Sequence, residues 1–361
     1  MNKKTLIACL AALPFIAAAL LPTHGASAQA PFEVGPLKAA PGRRTSGFLP
    51  VPAGKDGAER IPVTIFNGAS TGPILAVVAG IHGYEYPPIL AGQRLLAKID
   101  PAKLKGRVIL VHVANMPSFL KRTVYYSPVD GENLNRVFPG RADGTLSHRI
   151  AYVITREVIE RADYLIDMHC GDGNESLRPY SYWMPIGDPK VDEPARQMAV
   201  AFGLPNIVID RTRPKSSAAS QYCSNTGMTR GKPSITVESG GMGVADNEDD
   251  IVRLETGVLN VMRHLGMLEG RAWTPDTVTW YDPAEVLRFP DNLPEKAGLF
   301  YPSVRKGQMV DKGALIGYVT DFFGKKIYEA RAPFAGEVLY VIGTPPISAG
   351  EPLGFVAAVK K

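Results

Sequence analysis

The sequence predicts an α/β layer structure followed by a smaller all-β unit. Three observations carry this expectation. Over residues 45–270, short β-branched runs alternate with amphipathic stretches, and those runs are apolar almost throughout rather than at every second position. From about Tyr281 the alternation gives way to short runs broken by Gly and Pro. A strand covered on both faces is apolar on both, which is how the buried strands of an α/β sheet read.

The first element is a segment apart. Lys3 and Lys4 precede an apolar run from Leu6 to Leu21, and the small residues Ala26-Ser27-Ala28 follow. This is the three-part layout of a secretory signal peptide. The run is shorter than the roughly 20 residues of a membrane span and contains Pro14, so cleavage at about residue 28 is expected rather than a permanent anchor. Cys9 lies inside the apolar run, away from the small-residue site of a lipoprotein cysteine. The mature chain is therefore expected to be exported, periplasmic or secreted, with no stable membrane insertion.

The strands of the large unit are read at Ile74-Leu-Ala-Val-Val-Ala79, Val108-Ile-Leu-Val-His-Val113, Tyr164-Leu-Ile-Asp-Met168, Asn206-Ile-Val-Ile209 and Ser234-Ile-Thr-Val237. Between them, Ile89–Ile99, Ser147–Arg161, Glu193–Phe202 and Ile251–Leu265 carry apolar residues at three-to-four spacing, as helices packed on such a sheet do. No helix can be placed after the segment near Asp282–Leu287. Beyond it come Gly298-Leu-Phe-Tyr-Pro302, Gly307-Gln-Met-Val310, Ala314-Leu-Ile-Gly-Tyr-Val319 and Gly336-Glu-Val-Leu-Tyr-Val341, the texture of an all-β domain. The expected division is a signal over 1–28, a catalytic domain over 29–275 and a β domain over 276–361. Val310-Asp-Lys-Gly313 and Ala332-Pro-Phe-Ala-Gly336 give the last domain a resemblance to the barrel-sandwich fold of biotinyl and lipoyl carriers. The acceptor lysine flanked by methionines is absent, so the shape is similar and the carrier function is not expected.

Composition narrows the function classes. Of the 361 residues, 45% are hydrophobic and 21% charged, which suits a globular core and excludes a disordered chain or a multi-span membrane protein. Without Lys3 and Lys4 there remain 38 basic residues against 35 acidic ones, spread along the chain, so no nucleic-acid or membrane partner is expected. Cys170 and Cys223 are the thiols left in the mature chain. In an exported protein they can pair or stay free, and the spacing does not choose.

Chemistry gathers at strand ends. His82-Gly-Tyr-Glu85 follows the strand ending at Ala79 and precedes a helix, the place where an α/β sheet presents ligands. An imidazole and a carboxylate three residues apart can converge there on one ion, although the spacing alone is common. His169 stands at the end of a second strand, in Ile166-Asp-Met-His169-Cys-Gly-Asp-Gly173. Two His and one Glu from two strand ends make the ligand set of a catalytic zinc that keeps a position open. Asp167 could orient a ligand imidazole or make an ordinary half-buried polar contact. His24 falls in the signal, His112 inside a strand, and His148 and His264 on helices, where surface placement is the default. Glu238, at the end of Ser234-Ile-Thr-Val-Glu238-Ser-Gly-Gly241, is the candidate to take the proton of an attacking water, with a loop or capping acid as the alternative. The Pro/Gly-punctuated stretch from Pro128 to Gly140 ends in a side-by-side Asn135 and Arg136. The guanidinium suits a substrate carboxylate, or it ties down its own loop.

Together, Ala79-Gly-Ile-His82-Gly-Tyr-Glu85, Asp130-Gly-Glu-Asn-Leu-Asn135-Arg136-Val-Phe-Pro-Gly140, Asp167-Met-His169 and Val237-Glu238-Ser-Gly resemble the succinylglutamate desuccinylase/aspartoacylase family, a branch of the zinc-carboxypeptidase fold. The resemblance runs from about Gly47 to the C-terminus. It implies a mixed sheet with helices on both faces and one zinc per chain at His82, Glu85 and His169. It also implies Glu238 as general base and acid, Asn135 and Arg136 as anchors for a substrate carboxylate, and a β domain that narrows access. The family's further Arg, which steadies the oxyanion, falls on Arg122, the nearest arginine upstream. The implied activity is hydrolysis of an amide in an N-acyl amino acid or similar small carboxylate-bearing substrate. Export departs from the cytoplasmic habit of the best-known members and keeps a second enzyme in view, a periplasmic metallocarboxypeptidase or amidase acting on short or cell-wall peptides. A binding protein that kept the fold and lost the chemistry is the alternative outside enzymes.

Overall fold

The computed structural model describes residues 29–244 and 248–360; the expected signal, with Cys9 and His24, lies outside the described residues. A small hairpin, β1 (Phe32–Val34) and β2 (Leu37–Ala39), leads into a long one, β3 (Arg43–Gly54) and β4 (Gly57–Asn67). Then come β5 (Ser70–Ala79), α1 (Tyr86–Lys98), β6 (Lys105–Val111), α2 (Met116–Lys121) and α3 (Leu146–Ile154), which runs on into a wider turn over Thr155–Ile159. They are followed by β7 (Tyr164–His169), β8 (Glu175–Leu177), β9 (Tyr180–Trp183), α4 (Pro189–Phe202), β10 (Asn206–Ile209), α5 (Cys223–Met228), β11 (Ser234–Glu238) and α6 (Glu248–His264). The chain ends in β12 (Thr279–Arg288), β13 (Ala297–Pro302), β14 (Met309–Val310), β15 (Leu315–Thr320), β16 (Lys326–Arg331), β17 (Gly336–Ile342), β18 (Pro346–Ser348) and β19 (Pro352–Val359).

The fold is the mixed α/β architecture expected, with helices on both faces. At the centre, β6, β5, β7 and β11 run parallel side by side, and β4 and β3 extend the sheet antiparallel on one flank. Val77 and Val78 in β5, Ile166 and Met168 in β7, and Ile235 and Val237 in β11 are all buried, so both faces of these strands are covered. One face packs under α3 through Ile150, Ala151 and Ile154, together with Val63 and Ile65 of β4. The other carries α1, α4 and α6 through Leu95, Met198, Leu254 and Val258. The helix ends follow from local chemistry: Asp188 accepts a hydrogen bond from Lys190 N–H at the start of α4, and Gly203 closes that helix in the left-handed region at φ 94°.

The β-rich C-terminal region does not stand apart as a separate sheet. β12 pairs parallel with β10 and antiparallel with β19, so the large sheet continues through β19, β17 and β14. The segment near Asp282–Leu287, after which no helix was expected, is itself strand, since it has a partner on each side. β13, β15, β16 and β18 form a second, four-stranded sheet, and Phe289, Phe300, Ile316, Val338, Leu353 and Val356 fill the space between the two. Glu337 of β17 accepts the Tyr281 phenol at 2.5 Å and pairs with Arg178, which ties the two regions together.

The long hairpin β3–β4 and the small one before it were not read from sequence, because β3 alternates exposed and half-buried positions along most of its length. Its turn is locked by Arg149 of α3, whose buried guanidinium donates to Asp56 Oδ1 at 2.6 Å, Pro52 O at 3.0 Å, Gly57 O at 2.6 Å and Gly144 O at 2.8 Å. Arg149→Met strands these acceptors, and we expect a loss of about 3 kcal/mol in urea unfolding. The Arg149 hydrogen bond holds the Asp56 carboxyl below its ordinary value. The pair therefore contributes fully above the unfolded carboxylate pKa of about 3.9 and fades as pH falls through the lower folded one. The difference between wild type and variant should shrink at acid pH.

Candidate metal centre and active site

Three neighbouring strands end at one place. β5 stops at Ala79 and its turn delivers His82, β7 ends on His169, and β11 ends on Glu238, the register partner of His169. The turn after β5 is tight because Gly83 lies against the backbone of Phe119, where an added Cβ would come within 2.0 Å of its nitrogen. Glu85 then sits at the N-terminal cap of α1 with its side chain turned inward.

The carboxylate of Glu85 bridges the two imidazoles. Its Oε1 lies 2.7 Å from His82 Nδ1 and its Oε2 2.8 Å from His169 Nδ1, and the rings are 5.1 Å apart. All three residues are buried, 8%, 2% and 2% exposed for His82, Glu85 and His169, and their donor atoms lie within 4.8 Å of one another. The far nitrogen of each ring is also held. His82 Nε2 meets Asn133 Oδ1 at 3.1 Å, and His169 Nε2 faces Asp167 Oδ1 at 3.2 Å. Oriented imidazoles backed by a carboxylate or carboxamide, with both Nδ1 atoms and a carboxylate converging, are a donor set that fits a divalent metal ion.

Glu238 lies half-buried beside this cluster, and its Oε2 is a buried oxygen with no hydrogen-bond partner among the described residues. Burial, with Glu85, Glu175 and Asp167 nearby, pushes its carboxyl well above the carboxylate range against the pull of His169. Glu85 behaves in the opposite way: burial would raise it, but the two facing imidazoles bring it down to about 2. Both imidazoles, in spite of burial, are raised by Glu85, and His169 also by Asp167. The carboxyls of Glu85 and Glu238 are thus pushed in opposite directions within one small volume, the condition in which one carboxylate binds while another moves a proton.

The cluster forms the floor of a cavity of ≈ 230 Å³. Arg136 lines it, its Nη1 donating to Asn135 O at 2.9 Å and its guanidinium 4.7 Å from the Tyr222 ring. Asn135 lines the same cavity beside Arg136. Its Oδ1 accepts Cys223 N–H at 2.9 Å and its Nδ2 lies 3.3 Å from His169 Nε2, which fixes the carboxamide at the cavity wall. Arg122 is not brought to the cavity. It caps α2 in the left-handed region at φ 57°, is exposed, and lines a separate pocket with Tyr86, Phe119 and Leu120.

Sequence reasoning missed the rest of the wall. Tyr125, Glu175, Tyr182 and Arg213 come from loops and the short β8–β9 segment, while Arg288 and Tyr340 come from the C-terminal strands. The aromatic pair Tyr125-Tyr126 ahead of the Pro/Gly-rich loop was a visible signal; the two arginines carried none, because only β12 pairing brings Arg288 to the site. Arg213 is ion-paired with Asp210 at 2.5 Å and stacks 3.6 Å from the Tyr222 ring. Among the described residues Cys170 and Cys223 are both free and buried, and burial drives both thiols up.

Residues 71–265 match the succinylglutamate desuccinylase/aspartoacylase catalytic domain. The chain belongs to this family. It is 32% identical over 286 residues to the N-alpha-acetyl-L-2,4-diaminobutyric acid deacetylase of Halomonas elongata, across 76% of this chain and 79% of the relative. Among solved structures it resembles a succinylglutamate desuccinylase from Silicibacter sp. TM1040, with a TM-score of 0.74, 26% identity and coverage of 88% and 95% of the two chains. It also resembles the product-bound ectoine utilization protein EutE (DoeB) from Ruegeria pomeroyi, with a TM-score of 0.74, 28% identity and coverage of 87% and 95%. The family is one of hydrolases, and in this member the motif residues His82, Glu85, His169 and Glu238 meet around one cavity.

Proposed function

We propose that this chain is a zinc-dependent deacylase that hydrolyses the amide bond of an N-acylated amino acid. The observation that carries the reading is the convergence of two imidazole Nδ1 atoms and the Glu85 carboxylate beside Glu238, whose buried Oε2 lacks a partner. Zinc fits the two-nitrogen, one-oxygen donor set. The chemistry it supplies when bound is polarisation of a carbonyl and acidification of a water.

The protein's own groups do the remainder. Glu238 takes the proton of the attacking water and returns it to the nitrogen of the leaving amine, the work of a single carboxylate close to the reacting atoms. Asp167 and Asn133 hold the imidazoles in place. Arg136 faces the cavity and receives the substrate carboxylate. The deacetylase activity named for the Halomonas elongata relative supports an acyl group as small as acetyl. With residues 1–28 read as a cleaved signal, the reaction takes place outside the cytoplasm.

A metallocarboxypeptidase or amidase working on cell-wall peptides requires an open groove. The C-terminal strands place Val286, Arg288, Tyr340 and Pro352 along the cavity, and ≈ 230 Å³ suits an acylated amino acid better than a peptide. The deciding experiment measures metal content together with amine release from N-acetyl and other N-acyl amino acids and from short peptides. About one zinc per chain and turnover of the acylated amino acids is the expected result; peptide cleavage alone, or turnover that survives complete metal removal, overturns it.

Within that assay, Arg136→Ala should raise KM on the order of 10²-fold with kcat little changed, because a carboxylate anchor is used equally in ground and transition state. A fall in kcat at constant KM would remove Arg136 from this role.

A further inference from the structure

We propose that Tyr125 is a catalytic hydrogen-bond donor, placed to hold the oxyanion that develops as the scissile carbonyl is attacked. The inference rests on the deacylase reading and gives Tyr125 the part that the sequence resemblance gave to Arg122.

Position comes first. Tyr125 lines the same cavity as His82, Glu85, His169 and Glu238, with its ring edge-on to the His82 imidazole, centroids 6.0 Å apart at 82°. Of the cavity's arginines, Arg213 is paired with Asp210 and stacked on Tyr222, Arg288 donates to the Gly350 carbonyl, and Arg136 has the substrate carboxylate to receive. Of these donors, Tyr125 is the one whose side chain touches a residue of the metal cluster.

Backbone geometry is the second observation. Tyr125 sits at φ 56°, in the left-handed region that a residue with a side chain adopts at a cost. A turn that merely reversed the chain would be served there by glycine. The conformation is imposed from both ends of the residue, since its N–H donates to Asp172 Oδ2 at 2.9 Å and its phenol donates to Glu175 Oε1 at 2.7 Å. Asp172 is itself buried and tied to Gly173 N–H at 2.6 Å. A strained residue clamped at backbone and side chain is pre-organised, which is what stabilisation of a developing charge requires.

The phenol has one proton, and Glu175 is its acceptor in the resting site. As the tetrahedral carbon forms, its oxygen gains a full negative charge and becomes the competing acceptor. No proton changes hands: the O–H bond stays intact and only its hydrogen-bond partner changes. Glu175 is then a positioning residue that keeps the ring over the reacting centre between turnovers.

The test uses the full-length, metal-loaded protein and N-acetyl-L-2,4-diaminobutyrate. Tyr125→Phe should lower kcat on the order of 10²-fold while KM and metal content stay near wild type, and Arg122→Ala should leave kcat unchanged. Calorimetric binding of the matching methylphosphonamidate, which mimics the tetrahedral species, should weaken by the same factor as kcat/KM, with binding of the product amino acid unaffected. Glu175→Gln keeps the phenol and an acceptor for it, and should retain most of kcat. Wild-type turnover with an unaltered Tyr125→Phe overturns this inference alone, as does a loss confined to KM or an equal loss in Tyr125→Phe and Glu175→Gln, which would make the tyrosine a structural strut. Absence of metal-dependent turnover in the wild type removes the deacylase reading and this inference with it.

Discussion

Glu238→Gln is expected to reduce turnover by about 10³-fold or more while leaving the metal in place. The amide has nearly the shape of the carboxyl, so packing at the end of β11 is preserved, but it can neither accept a proton from water nor return one to a leaving amine. Glu238 lies beside the metal cluster without forming part of it: its Oε2 has no partner, and the two imidazoles are bridged by Glu85 instead. Zinc content measured by mass spectrometry should therefore match wild type. Loss of metal together with loss of activity would move Glu238 from proton carrier to ligand, and full activity in the variant would remove it from the chemistry.

Glu85→Gln should have the second large effect, and of a different kind. Glu85 is the single negative charge shared by both imidazoles, and those imidazoles hold it down to about 2 although burial would raise it. A neutral carboxamide offers a weaker oxygen donor and leaves two nitrogen donors, too few to retain a catalytic zinc against competition. We expect occupancy well below one ion per chain after dialysis, with turnover at background. Thermal stability should no longer respond to added zinc, because a ligand stabilises only the fold that binds it. Chelation of the wild type should reproduce the activity loss and be reversed by zinc, whereas Glu85→Gln should not be rescued at stoichiometric metal. Retained occupancy in the variant would show that the ion is held by other groups.

The site was legible where chemistry and local geometry coincide. His82 and Glu85 share one turn after a buried strand, and His169 and Glu238 are terminal residues of two more, so a reader who finds the strands finds the residues of the site. Substrate-facing groups were harder. Asn135 and Arg136 are adjacent in sequence and both line the cavity, yet the carboxamide is held by Cys223 N–H while the guanidinium lies against the Tyr222 ring. Arg122 and Tyr125 are three residues apart and line different pockets. In irregular segments the side-chain direction depends on individual φ values, such as the left-handed turns at both of these residues, and no periodicity announces them.

By itself the amino-acid sequence determined the layered α/β architecture, the β-rich C-terminal region, the family, and the two acids and two imidazoles of the centre. These depend on hydrophobic period and on short motifs fixed to strand ends, both local properties of the chain. Tertiary structure alone decided that β12 joins the C-terminal strands to the main sheet, and that Arg288 and Tyr340 thereby reach a cavity floored by residues some 100 to 250 positions earlier in the chain. It also decided which arginines and tyrosines face that cavity. Sheet pairing between distant segments and the direction of loop side chains are set by the balance of burial and hydrogen bonding over the whole molecule, and no window of sequence contains that balance.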